Sequence, residues 1–306
     1  MEESRASLTA MAASLIRAIH TRVDEHPLID DPWGDRLVTE ADKQEMRTVA
    51  ASRIGAPDRA RLEALGPGVD IIEAGLRASP VFGMVVVRSR YAEDALEAAV
   101  GRGIRQYVIV GAGLDSFAMR RPPWARDVDV FEVDHPATQE MKRRRLADYG
   151  VVLSDRHHFV AADLSREGLA SALKRTPFQP TTPSFFSWLG VTTYLTREAN
   201  LSTLRAIATC GAPGSEVVFT YRDQRDFDAH PTDGALHGTG ATVAAMGEPW
   251  VSGFHPDELD ADLRGVGLTL VENLNGEELN QRYFAGRTDG LSAPPSLYIA
   301  RAQVAG

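Results

Sequence analysis

The sequence predicts a doubly wound α/β fold, and three observations carry that prediction. From about residue 105 onward, short apolar runs alternate with stretches of helical periodicity. The first run, Tyr107-Val108-Ile109-Val110, has no polar break, as expected of a strand buried on both faces of a parallel sheet. It ends directly in Gly111-Ala112-Gly113-Leu114-Asp115, a glycine turn where the carboxyl end of the strand would lie. Open sheets of this class bind ligands at those ends.

Composition sets the outer bounds. The chain has 306 residues, of which 43% are hydrophobic, enough for one large α/β domain with additions. The formal net charge of -9 disfavours a nucleic-acid partner. A single cysteine, Cys210, allows no intrachain disulfide and points to a reducing cytoplasm. No apolar run approaches the roughly 20 residues a membrane span needs. The start, Met1-Glu2-Glu3, is unlike a secretory signal.

The elements follow in order. Residues 4–23 carry Leu8, Met11, Leu15, Ile16 and Ile19 at helical spacing, and residues 34–80 read as mostly helical, broken near Pro57 and at Gly66-Pro67-Gly68. Residues 1–84 are therefore expected to form a helical cap on the same domain, and residues 85–306 the sheet core with an insertion around 223–253. Val85 to Arg90 leads into a helix. Its two arginines, Arg88 and Arg90, either enter a pocket or decorate a solvated helix start. Strands are expected at 106–110, 129–134, 157–164, from 184 into the exit loop at 195, at 216–221, at 268–274 and at 296–301. That makes seven, mostly parallel, with helices on both faces. Residues 137–149 form a basic helix, Thr196 caps a helix running to about Thr209, and Pro256-Asp257-Glu258-Leu259 starts another.

The polar residues cluster at strand ends. Gly111 and Gly113 let a ligand approach the backbone because they carry no Cβ, with Ala112 between them and Asp115 just after. The third glycine of a dinucleotide fingerprint is absent, since Ser116 and Phe117 stand where it would fall. Asp134, with Glu132 as a near alternative, lies about twenty residues on, the offset of an acid that accepts hydrogen bonds from a ribose. Asp163 reads either as an adenine-side contact, with Leu164 packing on the base, or as a helix N-cap. Trp188 and Leu189 end the fourth strand.

These stretches also resemble a known family. VRSRYAEDAL, QYVIVGAGLDSFAMR, VFEVDHPATQEMKRRRL, FVAADL, FSWLGVTTYLT and GEPWVSGFHPDELDADLRGVG are similar, in family order, to the leucine carboxyl methyltransferase-like branch of the class I S-adenosylmethionine-dependent methyltransferases. The closest likeness is to the bacterial branch that includes polyketide O-methyltransferases, which implies secondary metabolism. The resemblance implies a Rossmann-like methyltransferase sheet and S-adenosyl-L-methionine as cofactor. It assigns Arg88 to the methionine carboxylate, Gly111 and Gly113 to the turn beside the amino acid end, Asp134 to the ribose hydroxyls, and Asp163 with Leu164 to the adenine side. Leu189 stands where many relatives carry Glu, so one cofactor-contacting carboxylate is missing.

The expected activity is O-methylation, on a carboxyl or a hydroxyl, of a small molecule. A hydroxyl acceptor would be helped by a base, and Tyr194, Tyr221, His135, Asp223, His230 and His237 lie in the right region. No metal set is visible, because His157 and His158 are adjacent on a strand and point to opposite faces. Two alternatives use the same fold: a nicotinamide-dependent oxidoreductase, and a non-catalytic cofactor-binding module.

Overall fold

A computed structural model describes residues 7–51, 70–164, 166–228 and 249–306. Seven strands form one sheet: β1 Gln106–Val110, β2 Asp129–Asp134, β3 His157–Ala161, β4 Phe185–Trp188, β5 Glu216–Arg222, β6 Leu268–Leu274 and β7 Leu297–Val304. Their order is β3-β2-β1-β4-β5-β7-β6. Strands β1 to β5 pair in parallel, and β7 runs antiparallel to both β5 and β6. The order reverses between β1 and β4, and that switch point is where an open parallel sheet leaves a crevice.

The helices are α1 Leu8–Val23, α2 Glu40–Ala51, α3 Ile71–Ala78, α4 Val81–Gly101, α5 Phe117–Arg120, α6 Pro136–Asp148, α7 Leu169–Leu173, α8 Arg197–Cys210, α9 Arg225–Asp228, α10 Leu259–Arg264 and α11 Gly276–Leu279. On one sheet face, α7, α8 and α10 bury Leu173, Leu204 and Leu263 against Val108, Phe131, Phe186 and Phe219. On the other, α4 buries Val87, Tyr91 and Leu96 against Tyr107, Ile109 and Val218. Full burial of such a side chain contributes about 1.5–3 kcal/mol.

Helix α4 is buried on both sides, which explains its composition. Its Phe82, Val85 and Val86 face away from the sheet and pack with Ile16, Leu37 and Leu114 in a third cluster. Three consecutive valines are poor helix formers alone, but here every one of them finds a partner. The helix starts at Val81, so the stretch from Val85 to Arg90, expected to lead into it, lies inside it; Gly83 lets it pack closely, since a Cβ there would lie 2.7 Å from the Ser292 carbonyl carbon. Helix α1 thus belongs to the third cluster, as an outer layer over α4. Its N-cap is Ser7, whose hydroxyl accepts from Ala10 N at 3.1 Å.

Some boundaries differ from expectation. β3 stops at Ala161, because Ala162 N already bonds Asp134 O at 2.9 Å and the chain then turns. β7 extends to Val304, where it still bonds Ser215 O at 2.8 Å. The expected breaks at Pro57 and Gly66-Pro67-Gly68, and His230 and His237, lie outside the described residues. Among the described residues no helix is long and apolar enough to cross a membrane.

Candidate functional site

The glycine turn is held at the carboxyl end of β1 by its neighbour strand. Gly111 N and Ala112 N both donate to Val133 O, at 2.9 and 3.2 Å. Gly111 has φ +68° and Gly113 φ +50°, the left-handed region that glycine enters without strain. A Cβ on Gly111 would sit 2.7 Å from Val191 Cγ2, so the turn and the β4 exit loop close on each other here. Gly111 is nevertheless exposed. Ala112 is buried beside it. Asp115 is occupied locally: Oδ1 accepts from Phe117 N at 2.8 Å, which starts α5, and its carbonyl accepts from Lys142 Nζ at 2.5 Å.

The two acids of β2 have separate fates. Asp134 accepts from Gly113 N through Oδ2 and from His135 N through Oδ1, both at 2.6 Å. Burial pushes this carboxyl above its ordinary range, and the two N–H groups only partly offset that. Glu132 is 1% exposed, paired with Lys142 and bonded to His157 Nε2 at 2.9 Å. Burial alone would raise its carboxyl, but the Lys142 charge and His157 hold it below the usual value. Glu132 therefore ties α6 and β3 to β2 and does not reach the crevice, which corrects its standing as an alternative ribose ligand. His135 is the N-cap of α6, its Nδ1 accepting from Ala137 N at 3.3 Å.

Asp163 and Leu164 follow β3. The Asp163 carbonyl accepts from Arg166 N and Glu167 N, both at 2.9 Å, and its carboxylate pairs with Arg166 at 3.3 Å. The helix beyond begins later, at Leu169 with Gly168 as N-cap, so Asp163 is not a helix cap. Leu164 remains 37% exposed at the strand end. Trp188 is 1% exposed and packs near Phe219 on the α8 side of the sheet, so its indole is a core group and not a crevice wall. Leu189 points to the opposite face and packs against the α4 cluster.

Arg88, on α4, is partly buried and has no hydrogen bond or ion pair among the described residues. Its guanidinium lies on Gly190, where a Cβ would fall 2.6 Å from Cζ and 2.7 Å from Nη2. Gly190 has φ +69°, and its N–H donates to Thr220 Oγ1 at 2.8 Å. Burial pushes Arg88 down to about 10, opposed by Tyr194 and reinforced by Arg17. Arg88 thus lies inside α4 against the β4 exit loop and is no solvated helix start.

Of the proposed bases, Tyr194 lies in a short turn, Thr192–Tyr194, on the β4 exit loop beside Arg88. Tyr221 does not reach the site: it is 1% exposed, donates to Asn273 Oδ1 at 3.0 Å and stacks on Tyr298 at 5.0 Å. Asp223 is engaged by Arg225 Nε at 2.9 Å. Sequence reasoning placed Gly190 and Arg222 within the strand-end stretches 188–193 and 221–223 without giving either a role, and did not single out Trp250. Only the position of Gly190 and Arg222 just past a strand or at its end could have signalled them.

The sheet order, the glycine turn and the acid ending β2 define a Rossmann-like methyltransferase. A Thermobifida fusca protein described as a methyltransferase superposes with a TM-score of 0.53 at 16% identity, covering 89% of this chain and 93% of its own. A Streptomyces avermitilis structure gives 0.55 at 15% identity, over 95% and 97%. In sequence, residues 10–208 match the leucine carboxyl methyltransferase model. YktD of Bacillus subtilis, whose name places it among the S-adenosyl-L-methionine-dependent methyltransferases, is 33% identical over 305 residues, 99% of both chains. A Mycolicibacterium smegmatis relative named the same way is 34% identical over 219 residues, 71% of this chain and 67% of its own. The chain belongs to the leucine carboxyl methyltransferase family and is an S-adenosylmethionine-dependent methyltransferase. The oxidoreductase and non-catalytic alternatives fall with that result.

Proposed function

We propose that this enzyme methylates an oxygen, carboxyl or hydroxyl, of a small organic acceptor, with Arg88 and Asp134 as the two polar anchors of its cofactor. The observation that carries the cofactor assignment is Arg88: a partly buried guanidinium with no partner among the described residues fits a ligand carboxylate. Gly111, exposed at the carboxyl end of β1, would lie beside the amino acid end of the cofactor. Asp134 would take the ribose hydroxyls, and Asp163 with Leu164 the adenine side. No carboxylate stands at Leu189, so the amino group would be held by backbone acceptors of the glycine turn.

The bound cofactor supplies a methyl group on a sulfonium sulfur. What the chain contributes is alignment and exclusion of water, worth roughly 7–11 kcal/mol when geometry is right. A carboxylate acceptor needs no base. For a hydroxyl acceptor Tyr194, on the β4 exit loop near Arg88, would take the proton.

Calorimetric titration with S-adenosylmethionine and S-adenosylhomocysteine tests the anchors. Losing charge-assisted hydrogen bonds of about 1.5–3 kcal/mol should weaken binding roughly 10- to 150-fold in Arg88→Ala and in Asp134→Ala. Unchanged affinity in either variant removes that anchor. Transfer of labelled methyl from the cofactor to candidate acceptors tests the reaction: base-labile label marks an ester and base-stable label an ether. Label found only on nitrogen or carbon rejects O-methylation.

A further inference from the structure

Arg222 closes β5 and is 4% exposed. Its Nη2 donates to Ser296 Oγ at 2.6 Å, and Asp226 Oδ2 stands 3.8 Å from the same nitrogen, beyond hydrogen-bond reach. Nε and Nη1 have no hydrogen-bond partner among the described residues. The guanidinium lies 4.2 Å over the Trp250 ring.

Its placement is specific. Along β5, Val217, Phe219 and Tyr221 face α8, while Val218 faces α4. Arg222 shares the parity of Val218 and so projects on the α4 side, the side of Arg88. Tyr194 lies within electrostatic range of both guanidiniums. The segment carrying Trp250 is pinned: Val251 N donates to Thr193 O at 2.6 Å, Ser252 Oγ to Leu195 O at 2.7 Å, and Phe254 N to Arg222 O at 3.0 Å.

We propose that Arg222 and Trp250 form a recognition subsite for a carboxylate on the methyl acceptor, with the indole bordering the apolar body behind it. A nearly buried guanidinium with open N–H groups beside an aromatic face suits a flat organic acid better than a neutral acceptor. The proposal concerns recognition and leaves the methylated oxygen open. It rests on Arg88 being the cofactor's anchor, which leaves Arg222 for the acceptor.

The test uses full-length enzyme saturated with S-adenosylhomocysteine, titrated with sodium benzoate and with benzamide. Benzoate should bind at least about tenfold more tightly than benzamide, the scale of one charge-assisted pair. Arg222→Gln should abolish that preference and leave S-adenosylmethionine affinity within about twofold. Arg222→Lys should keep part of the preference, and Trp250→Leu should weaken both probes alike. The proposal is overturned if benzoate does not bind, if benzamide binds equally well, or if the preference survives in Arg222→Gln. If Arg222→Gln weakens S-adenosylmethionine while Arg88→Ala does not, the fault lies in the cofactor assignment, and Arg222 is its anchor instead.

Discussion

Arg88 and Gly190 make one unit from two distant stretches. The guanidinium rests on a glycine whose φ is positive and whose missing Cβ would stand 2.6 Å from Cζ. Gly190→Ala should therefore displace Arg88 and weaken S-adenosylmethionine at least about tenfold, the scale of one charged hydrogen bond. It should leave 5′-methylthioadenosine, which lacks the amino acid, nearly unaffected. Combined with Arg88→Ala the losses should not add, because both remove the same contact; additive losses in a calorimetric double-mutant cycle would separate them. Asp134 carries an electrostatic cost at the same scale. Burial holds its carboxyl above the ordinary value of 3.8, so folding favours the protonated form and the ionised form destabilises the fold above that raised pKa. Asp134→Asn should keep or raise thermal stability near neutral pH while cofactor affinity falls. In the wild type, affinity should drop as pH falls through the raised pKa, because the protonated acid accepts fewer hydrogen bonds from a ribose. Sequence singles out Asp134 by its spacing and Arg88 by the family pattern. It does not single out Gly190, whose role exists only once α4 lies against the β4 exit loop.

Strand β2 shows the limit of spacing at the scale of an element. Glu132 and Asp134 are two apart and share a face, so pattern alone cannot choose between them. The choice is made by α6, which brings Lys142 to Glu132 and leaves Asp134 at the strand's end. Glu132→Ala would leave the buried Lys142 without its carboxylate and should cost roughly 3–5 kcal/mol in urea unfolding. The pair also sets an acid limit. Glu132 titrates below its ordinary value of 4.5, so its contribution is present above that value and is lost as pH falls through the lower folded-state pKa. Urea midpoints should fall with pH in that window for the wild type, and the decline should be shallower in Glu132→Gln. Equal slopes would show that other carboxylates dominate. Helix α4 is the converse case: its run of β-branched valines has a low intrinsic helix preference, and burial on both sides outweighs it.

At the scale of the whole molecule, the N-terminal helices are tied to the binding turn through charge as well as packing. Arg17 on α1 bonds Asp31 at 2.7 Å and Leu114 O at 2.8 Å, and Ser116 donates to the same Asp31 oxygen at 2.6 Å. Asp31 is fully buried; burial would raise its carboxyl, but Arg17, Arg120 and Ser116 hold it below the ordinary value. Cap and sheet should therefore unfold together, with tryptophan fluorescence and far-ultraviolet circular dichroism giving one coincident urea transition. Two separated transitions would show the cap melting alone. S-adenosylhomocysteine at about a hundred times its Kd should add roughly 2.7 kcal/mol to that transition.

The sequence by itself determined the class of the molecule, for a physical reason. Strand periodicity, unbroken apolar runs and glycine turns are local properties, and they survive whatever the rest of the chain does. From them, and from the family pattern, came the doubly wound sheet, the glycine turn at β1 and the acids at the strand ends. The tertiary structure decided which of these groups are buried and what each one touches. It withdrew Glu132, Trp188 and Tyr221 into the core, placed Arg88 on Gly190, and brought Arg222 under Trp250. Those outcomes depend on which helix packs on which face, and no local pattern in the chain encodes contacts between residues so far apart.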